Sequence, residues 1–127
     1  MDGDSPYELH AGEDSSSIVE IPIHWALDDW EQYCYLPSLF DQGLIESPKK
    51  CREMWSLEFE ATTREGGCFV LTAHPFLSGR PSRAASLSQV MEQAVNTPQV
   101  WVATMGEIAR HVRAQGLEPR RITQPEV

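Results

Sequence analysis

The chain has 127 residues, 41% of them hydrophobic, which suffices for one packed domain. Its 19 acidic residues against 10 basic ones give a formal net charge of -9, and that balance excludes binding driven by the phosphates of nucleic acid or by anionic lipid heads. No apolar run approaches the ~20 residues that span a bilayer, and the acidic start Met1-Asp2-Gly3-Asp4 has no apolar stretch behind it to form a signal peptide.

Residues 1–17 are polar and lack periodicity, so they read as a loop or tail. Ile18-Val19-Glu20-Ile21-Pro22-Ile23 is short and β-branched and reads as a strand, with Pro22 awkward near its end. His24-Trp25-Ala26-Leu27-Asp28-Asp29-Trp30 follows, a group of aromatic rings and carboxylates just past a strand. Residues 31–47 contain Pro37 and Gly43 and read as an irregular connection.

Ser47-Pro48 is a helix start, with Ser as N-cap and Pro at the first helical position. Cys51, Met54, Trp55, Phe59 and Thr62 then recur at spacings of three and four, on one helix face. Gly66-Gly67 ends that helix. Residues 68–72 form a continuous apolar run, as in a strand buried on both faces of a parallel sheet. A loop is expected over 76–82, then a second helix over 83–96 with Leu87, Val90, Met91, Ala94 and Val95 inward. Residues 100–103 predict a third strand, and Thr104 with Glu107 a capping box. The helix behind it turns Ile108, Ala109 and Val112 inward and stops at Gly116. Residues 117–127 read as a polar, frayed tail.

Strand and helix therefore alternate across 18–116, which predicts an α/β fold with a parallel sheet and crossover helices. Three such units do not close a barrel of eight. In such folds chemistry gathers at the C-terminal ends of the strands. His24, Trp25, Asp28, Asp29 and Trp30 sit past the first strand and His74 at the end of the second. A histidine can pass protons near neutral pH, and a carboxylate beside it holds its tautomer and favours its charged form. His74 with Asp28 or Asp29 has the makings of a general acid; a capping or solvated role is the plain alternative for each. No metal site is expected within this chain, because no H-x-x-x-H or H-E-x-x-H pair is present. Phosphate loops and G-x-S-x-G elbows are also absent. Cys34, Cys51 and Cys68 form no C-x-x-C pair and read as free thiols of a reducing cytoplasm.

The stretch from Phe69-Val70-Leu71-Thr72-Ala73-His74-Pro75 through Gly79-Arg80-Pro81-Ser82-Arg83 resembles the last motif of the polysaccharide deacetylase, or NodB-homology, family. It is most similar to the intracellular branch with allantoinase-like and peptidoglycan-deacetylase-like enzymes. Val100-Trp101-Val102-Ala103-Thr104 with Glu107-Ile108-Ala109 resembles that branch's closing strand and helix. Val19-Glu20-Ile21-Pro22, His24-Trp25 and Asp28-Asp29-Trp30 resemble its earlier active-site loop.

The resemblance implies the C-terminal segment of a distorted (β/α) barrel of parallel strands and helices, incomplete in this chain. It implies hydrolysis of amide-like C–N bonds, on an N-acetylated sugar or a ureide, with zinc or another divalent metal in the complete domain. His74 would protonate the leaving nitrogen, with Asp28 or Asp29 orienting it. Leu71 would line the acyl pocket, Trp25 or Trp30 would wall the site, and Arg80 and Arg83 would position substrate or pair with acidic residues of the rim, a helix-start salt bridge being the plain alternative for both. The family's T-F-D-D and H-x-x-x-H motifs are absent from this sequence. The expectation is therefore a truncated or split product, without metal or activity alone and completed by an N-terminal chain, with homo-oligomers as in related enzymes. Two alternatives stand beside it: a non-catalytic remnant that binds a protein partner through its sheet edge, and an unrelated small α/β protein.

Overall fold

The computed structural model describes residues 5–11, 17–36 and 45–122. These described residues fall into two compact units, one drawn from residues 5–11, 17–22 and 103–122 and the other from residues 23–36 and 45–102.

The first unit carries a three-stranded sheet and one helix. Strand β1 (Tyr7–Ala11) pairs antiparallel with β2 (Ser17–Glu20), with Tyr7 opposite Glu20 and His10 opposite Ser17. The second unit intervenes in sequence. Chain order then returns to the first unit with α5 (Met105–Ala114) and β3 (Arg120–Ile122), which pairs parallel to β1. The sheet order is β2-β1-β3.

Side chains with polar ends tie this unit together. The Ser17 hydroxyl donates to Glu8 Oε1, and Arg113 bonds the Ser17 carbonyl at 3.1 Å and approaches Glu8 at 3.9 Å. The Arg120 guanidinium lies 3.9 Å from the centroid of the Tyr7 ring. A tail over 1–17 and a frayed end over 117–127 are expected from sequence, yet β1 and β3 lie in those stretches; residues 1–4, 12–16 and 123–127 lie outside the described set. Cross-strand polar and cation–π pairs stabilise the strands, and a search for apolar runs does not register them.

In the second unit a short 3-10 turn (Trp25–Leu27) leads into α1 (Asp29–Tyr33). Helix α2 (Pro48–Glu65) starts behind Ser47 and stops at Gly66, whose φ of 69° is the left-handed conformation that glycine adopts without steric cost. Helix α3 (Pro75–Ser78) is one turn, and α4 (Pro81–Val95) packs against α2. Arg52 bonds Gln89, and Gln93 bonds Glu60 at 3.0 Å, so polar contacts border the seam between these two helices.

Leu27, Tyr33, Cys51, Trp55, Leu77 and Val90 form the core, with Trp30, Met54, Phe69 and Leu71 packed against it. Trp55 is fully buried and donates its indole N–H to the Ala26 carbonyl at 3.0 Å, which satisfies the one polar group that its burial would otherwise strand.

Three expectations for this unit need correction. The sequence predicts an irregular connection over 31–47 and a loop over 76–82, yet α1 and α3 occupy parts of both; residues 37–44 lie outside the described set. Helix α4 starts at Pro81 rather than Arg83, and Met91 and Val95 on it are exposed while Val90 is buried. The inward face is thus narrower than the apolar spacing suggests.

The sheet also differs from the expected one. Residues 68–72 and 100–103 form no named strand among the described residues. A single parallel bridge, Asp28 with Thr72, joins residue 72 to the start of α1 through Thr72 N–H to Leu27 O at 2.8 Å and Asp29 N–H to Thr72 O at 3.1 Å. A strand is defined by its ladder, and an apolar β-branched run without a ladder partner stays merely extended. The mixed helix and strand composition agrees with the α/β reading, whereas the named sheet is built from residues near the two chain ends.

Candidate active site

The Asp28–Thr72 bridge brings two separate stretches side by side. One delivers Asp28, Asp29 and Trp30; two residues beyond Thr72, the other delivers His74. Both change direction at this point. Asp28 caps α1, its Oδ1 accepting the Trp30 N–H at 2.8 Å. His74 occupies the cap position of α3, with Pro75 at the first helical position. Each stretch thus passes from extended backbone into a helix cap beside the bridge.

Asp29 is the centre of the arrangement and has no exposed surface. Its Oδ1 lies 2.6 Å from His74 Nδ1. Its Oδ2 accepts the His74 main-chain N–H at 2.9 Å and the hydroxyl of Ser78. Buried carboxylates are costly unless each oxygen finds donors, and here both oxygens do. Asp28 Oδ1 stands farther from His74 Nδ1, at 3.7 Å. The two neighbouring carboxylates thus play different parts, Asp29 holding the histidine and Asp28 the helix end.

With Nδ1 engaged, Nε2 is the other ring nitrogen, on a side chain about one third exposed. The ring is flanked edge-on by Trp30, at a centroid distance of 5.5 Å, and by Phe76 at 5.8 Å; Trp30 and Phe76 are 6.0 Å apart. Edge-on contacts of this kind are a favoured arrangement of aromatic rings.

The other residues singled out from sequence stand apart from this cluster in varying degree. Trp25 is exposed in the 3-10 turn, and His24 accepts the Ala26 N–H at 3.2 Å as that turn's cap. Leu71 is half-buried against the core. Arg80 is the exposed cap residue of α4. Arg83 lies 4.3 Å from the centroid of the Tyr33 ring and donates to the Leu77 carbonyl at 3.1 Å, which fastens the end of α3 to the core. Beneath it, burial pushes the Tyr33 phenol well above its ordinary range, with the Cys51 thiol as polar neighbour.

Sequence reasoning passes over Ser78 and Phe76. A signal is present for Ser78. It stands four residues after His74 with Pro75 between them as a helix starter, and residues four apart share a helix face.

Asp28, Asp29 and His74 offer ligand atoms within 4.8 Å of one another, so a divalent cation must be considered. The donor set does not suit one. Both Asp29 oxygens and one Asp28 oxygen already accept protein N–H or O–H groups. A catalytic ion also keeps an open coordination position, whereas Asp29 is sealed from solvent. The cluster is suited to proton transfer.

Comparison with known proteins yields no matching family model. A crystal structure assigned as a candidate polysaccharide deacetylase from Mycobacterium smegmatis matches with a TM-score of 0.88 and 52% identity, over all of this chain and 44% of that one. The peptidoglycan deacetylase of Helicobacter pylori is 29% identical over 96 residues, which is 74% of this chain and 33% of that protein. The crystal structure of PuuE allantoinase matches with a TM-score of 0.68 and 23% identity, over 87% of this chain and 36% of that one, a likeness of fold alone. The chain thus spans between a third and a half of the length of each of these proteins.

Proposed function

We propose that this chain, which is similar to polysaccharide deacetylases over a third to a half of their length, carries the proton-donating side of an enzyme that hydrolyses an amide-like C–N bond. The carrying observation is the 2.6 Å contact between His74 Nδ1 and the fully buried Asp29. Asp29 holds the proton on Nδ1 and faces the imidazolium with a negative charge. Protonated His74 then gives its Nε2 proton to the leaving nitrogen as the C–N bond breaks. General acids of this kind contribute roughly two to four orders of magnitude in rate.

The substrate in this reading is an N-acetylated sugar, and the Helicobacter pylori relative is itself a peptidoglycan deacetylase. Trp30 forms a wall beside the acid. The metal that the family resemblance implies is assigned to a complementing segment, since this sequence has no T-F-D-D or H-x-x-x-H motif and the Asp28, Asp29 and His74 cluster does not suit an ion.

The test is acetate release from an N-acetylglucosamine oligomer. The chain is assayed alone and after co-expression with the part of the Mycobacterium smegmatis protein that it does not match. Activity is expected in the second case only, with a fall of two orders of magnitude or more in kcat for His74→Ala. Unchanged turnover in His74→Ala would refute the assignment of the acid.

A further inference from the structure

We infer that Ser78 is a positioning residue for the acid: its hydroxyl fixes the Asp29 carboxylate and thereby sets the tautomer of His74. This rests on the reading of His74 as proton donor and goes beyond it by naming what keeps the donor in its working form.

The geometry is specific. Ser78 is 4% exposed, and its Oγ donates to Asp29 Oδ2. Its own N–H bonds the His74 carbonyl at 2.9 Å, so the hydroxyl is carried on the one-turn helix that begins at the histidine. Asp29 Oδ2 therefore takes two donors from the His74–Ser78 turn, the His74 N–H at 2.9 Å and the Ser78 hydroxyl. Oδ1 is left for the imidazole Nδ1 at 2.6 Å.

A neutral imidazole carries one proton and can place it on either nitrogen. The proton sits on Nδ1 as long as Oδ1 is aimed at it, because a carboxylate is an acceptor only. Without the Ser78 hydroxyl, Oδ2 keeps one donor and the carboxylate can rotate about its last torsion. Such terminal torsions are broad. The ring would then populate both tautomers, and the share with the proton on Nδ1 would fall. A serine that merely filled space would leave this distribution untouched.

The experiment is nitrogen NMR of histidine-labelled chain at a pH where the imidazole is neutral, which reads the tautomer of His74 directly. The variants are Ser78→Ala and the isosteric pair Ser78→Thr and Ser78→Val, with Asp29→Asn as reference. Wild type and Ser78→Thr are expected to show one tautomer protonated at Nδ1. Ser78→Ala and Ser78→Val are expected to move both ring nitrogens toward the averaged positions of a mixture. If Ser78→Val keeps the wild-type pattern, Ser78 acts by packing and the proposal is overturned. Should the variants not fold, the unmutated chain still decides: a slowly exchanging Ser78 hydroxyl proton supports the proposal and a rapidly exchanging one overturns it. Asp29→Asn separates the two levels. If it too leaves the His74 tautomer unchanged, the Asp29–His74 reading itself fails, whatever Ser78 does.

Discussion

Asp29 holds His74 at two points, the main-chain N–H at 2.9 Å and the ring Nδ1 at 2.6 Å. One buried side chain thus sets both the backbone turn at which α3 begins and the orientation of its first ring. Removal of the carboxylate should therefore cost stability as well as activity. Asp29→Ala leaves the His74 N–H and the Ser78 hydroxyl without their acceptor, a loss of about 1–3 kcal/mol for a buried unsatisfied group. Urea unfolding followed by tryptophan fluorescence should show a lower midpoint with an unchanged slope. A midpoint equal to wild type would mean that solvent reaches the site and that Asp29 does not organise it.

Trp55 offers a second test, of the core that supports the site. Its ring is fully buried and its indole N–H bonds the Ala26 carbonyl, just ahead of Asp28. Trp55→Phe keeps most of the apolar volume but strands that carbonyl, for an expected loss of about 1–3 kcal/mol. Trp55→Ala adds a large cavity and should cost about 3–5 kcal/mol. A Trp55→Phe chain as stable as wild type, in thermal or urea unfolding, would show that the hydrogen bond contributes nothing, and equal losses for the two variants would show that the cavity adds nothing.

Some of this structure is legible from sequence and some is not, for physical reasons. Helix α2 announces itself because Pro48 and Gly66 are local signals with local causes, although Ser47 stands at the cap position without a side-chain cap bond, and Cys51, Trp55 and Phe59 are all buried as their spacing suggests. The capping box of Thr104 and Glu107 is equally local and is present. The meeting of His74 with the Asp28-Asp29 pair joins residues 45 positions apart, and it comes within reach through the family resemblance and the strand-end argument. Which aspartate faces the ring stays open at the level of sequence, because the choice depends on Asp28 being drawn into capping Trp30. Strands β1 and β3 escape a sequence reading because three to five residues stabilised by cross-strand pairs carry little hydrophobic pattern. Residues 68–72 and 100–103 have that pattern and no ladder, because pairing depends on a neighbour that composition does not reveal.

Gly79 closes the turn that presents His74 and Ser78. Its N–H bonds the Pro75 carbonyl at 2.9 Å, and a Cβ there would stand 2.2 Å from that same oxygen. The obstacle is backbone, which cannot swing aside as a flexible side chain would. Gly79→Ala should force the turn open and destabilise the chain by about 1–3 kcal/mol, as overpacking does. The displacement should also reach the site: the His74 ring signal in proton NMR should move, since the same turn carries it. A Gly79→Ala chain with wild-type stability and an unmoved His74 signal would show that the turn relaxes freely.

Glu107 gives a pH test whose sign is fixed by its partners. It accepts the Thr104 main-chain N–H at 2.8 Å and the Thr104 hydroxyl at 2.7 Å, while Thr104 Oγ1 accepts the Glu107 N–H at 3.3 Å. The Thr104 backbone hydrogen bond, then its side-chain one, hold the Glu107 carboxyl below the usual glutamate range. A carboxyl depressed in the folded state stabilises the fold fully above its unfolded pKa, and that contribution fades as pH falls through the folded value. The unfolded value is about 4.3, so the loss begins near there and deepens on further acidification. Glu107→Gln keeps an acceptor for the Thr104 N–H but has no proton to take up in this range. Amide exchange in the first turn of α5 should therefore accelerate in wild type as pH falls below about 4.3, beyond the intrinsic trend, and should lack that extra step in Glu107→Gln. Thr104→Ala removes the other half of the box and should weaken α5 at every pH, by about 0.5–2 kcal/mol for a lost cap. Parallel profiles for wild type and Glu107→Gln would show that the charge on Glu107 adds nothing to the cap.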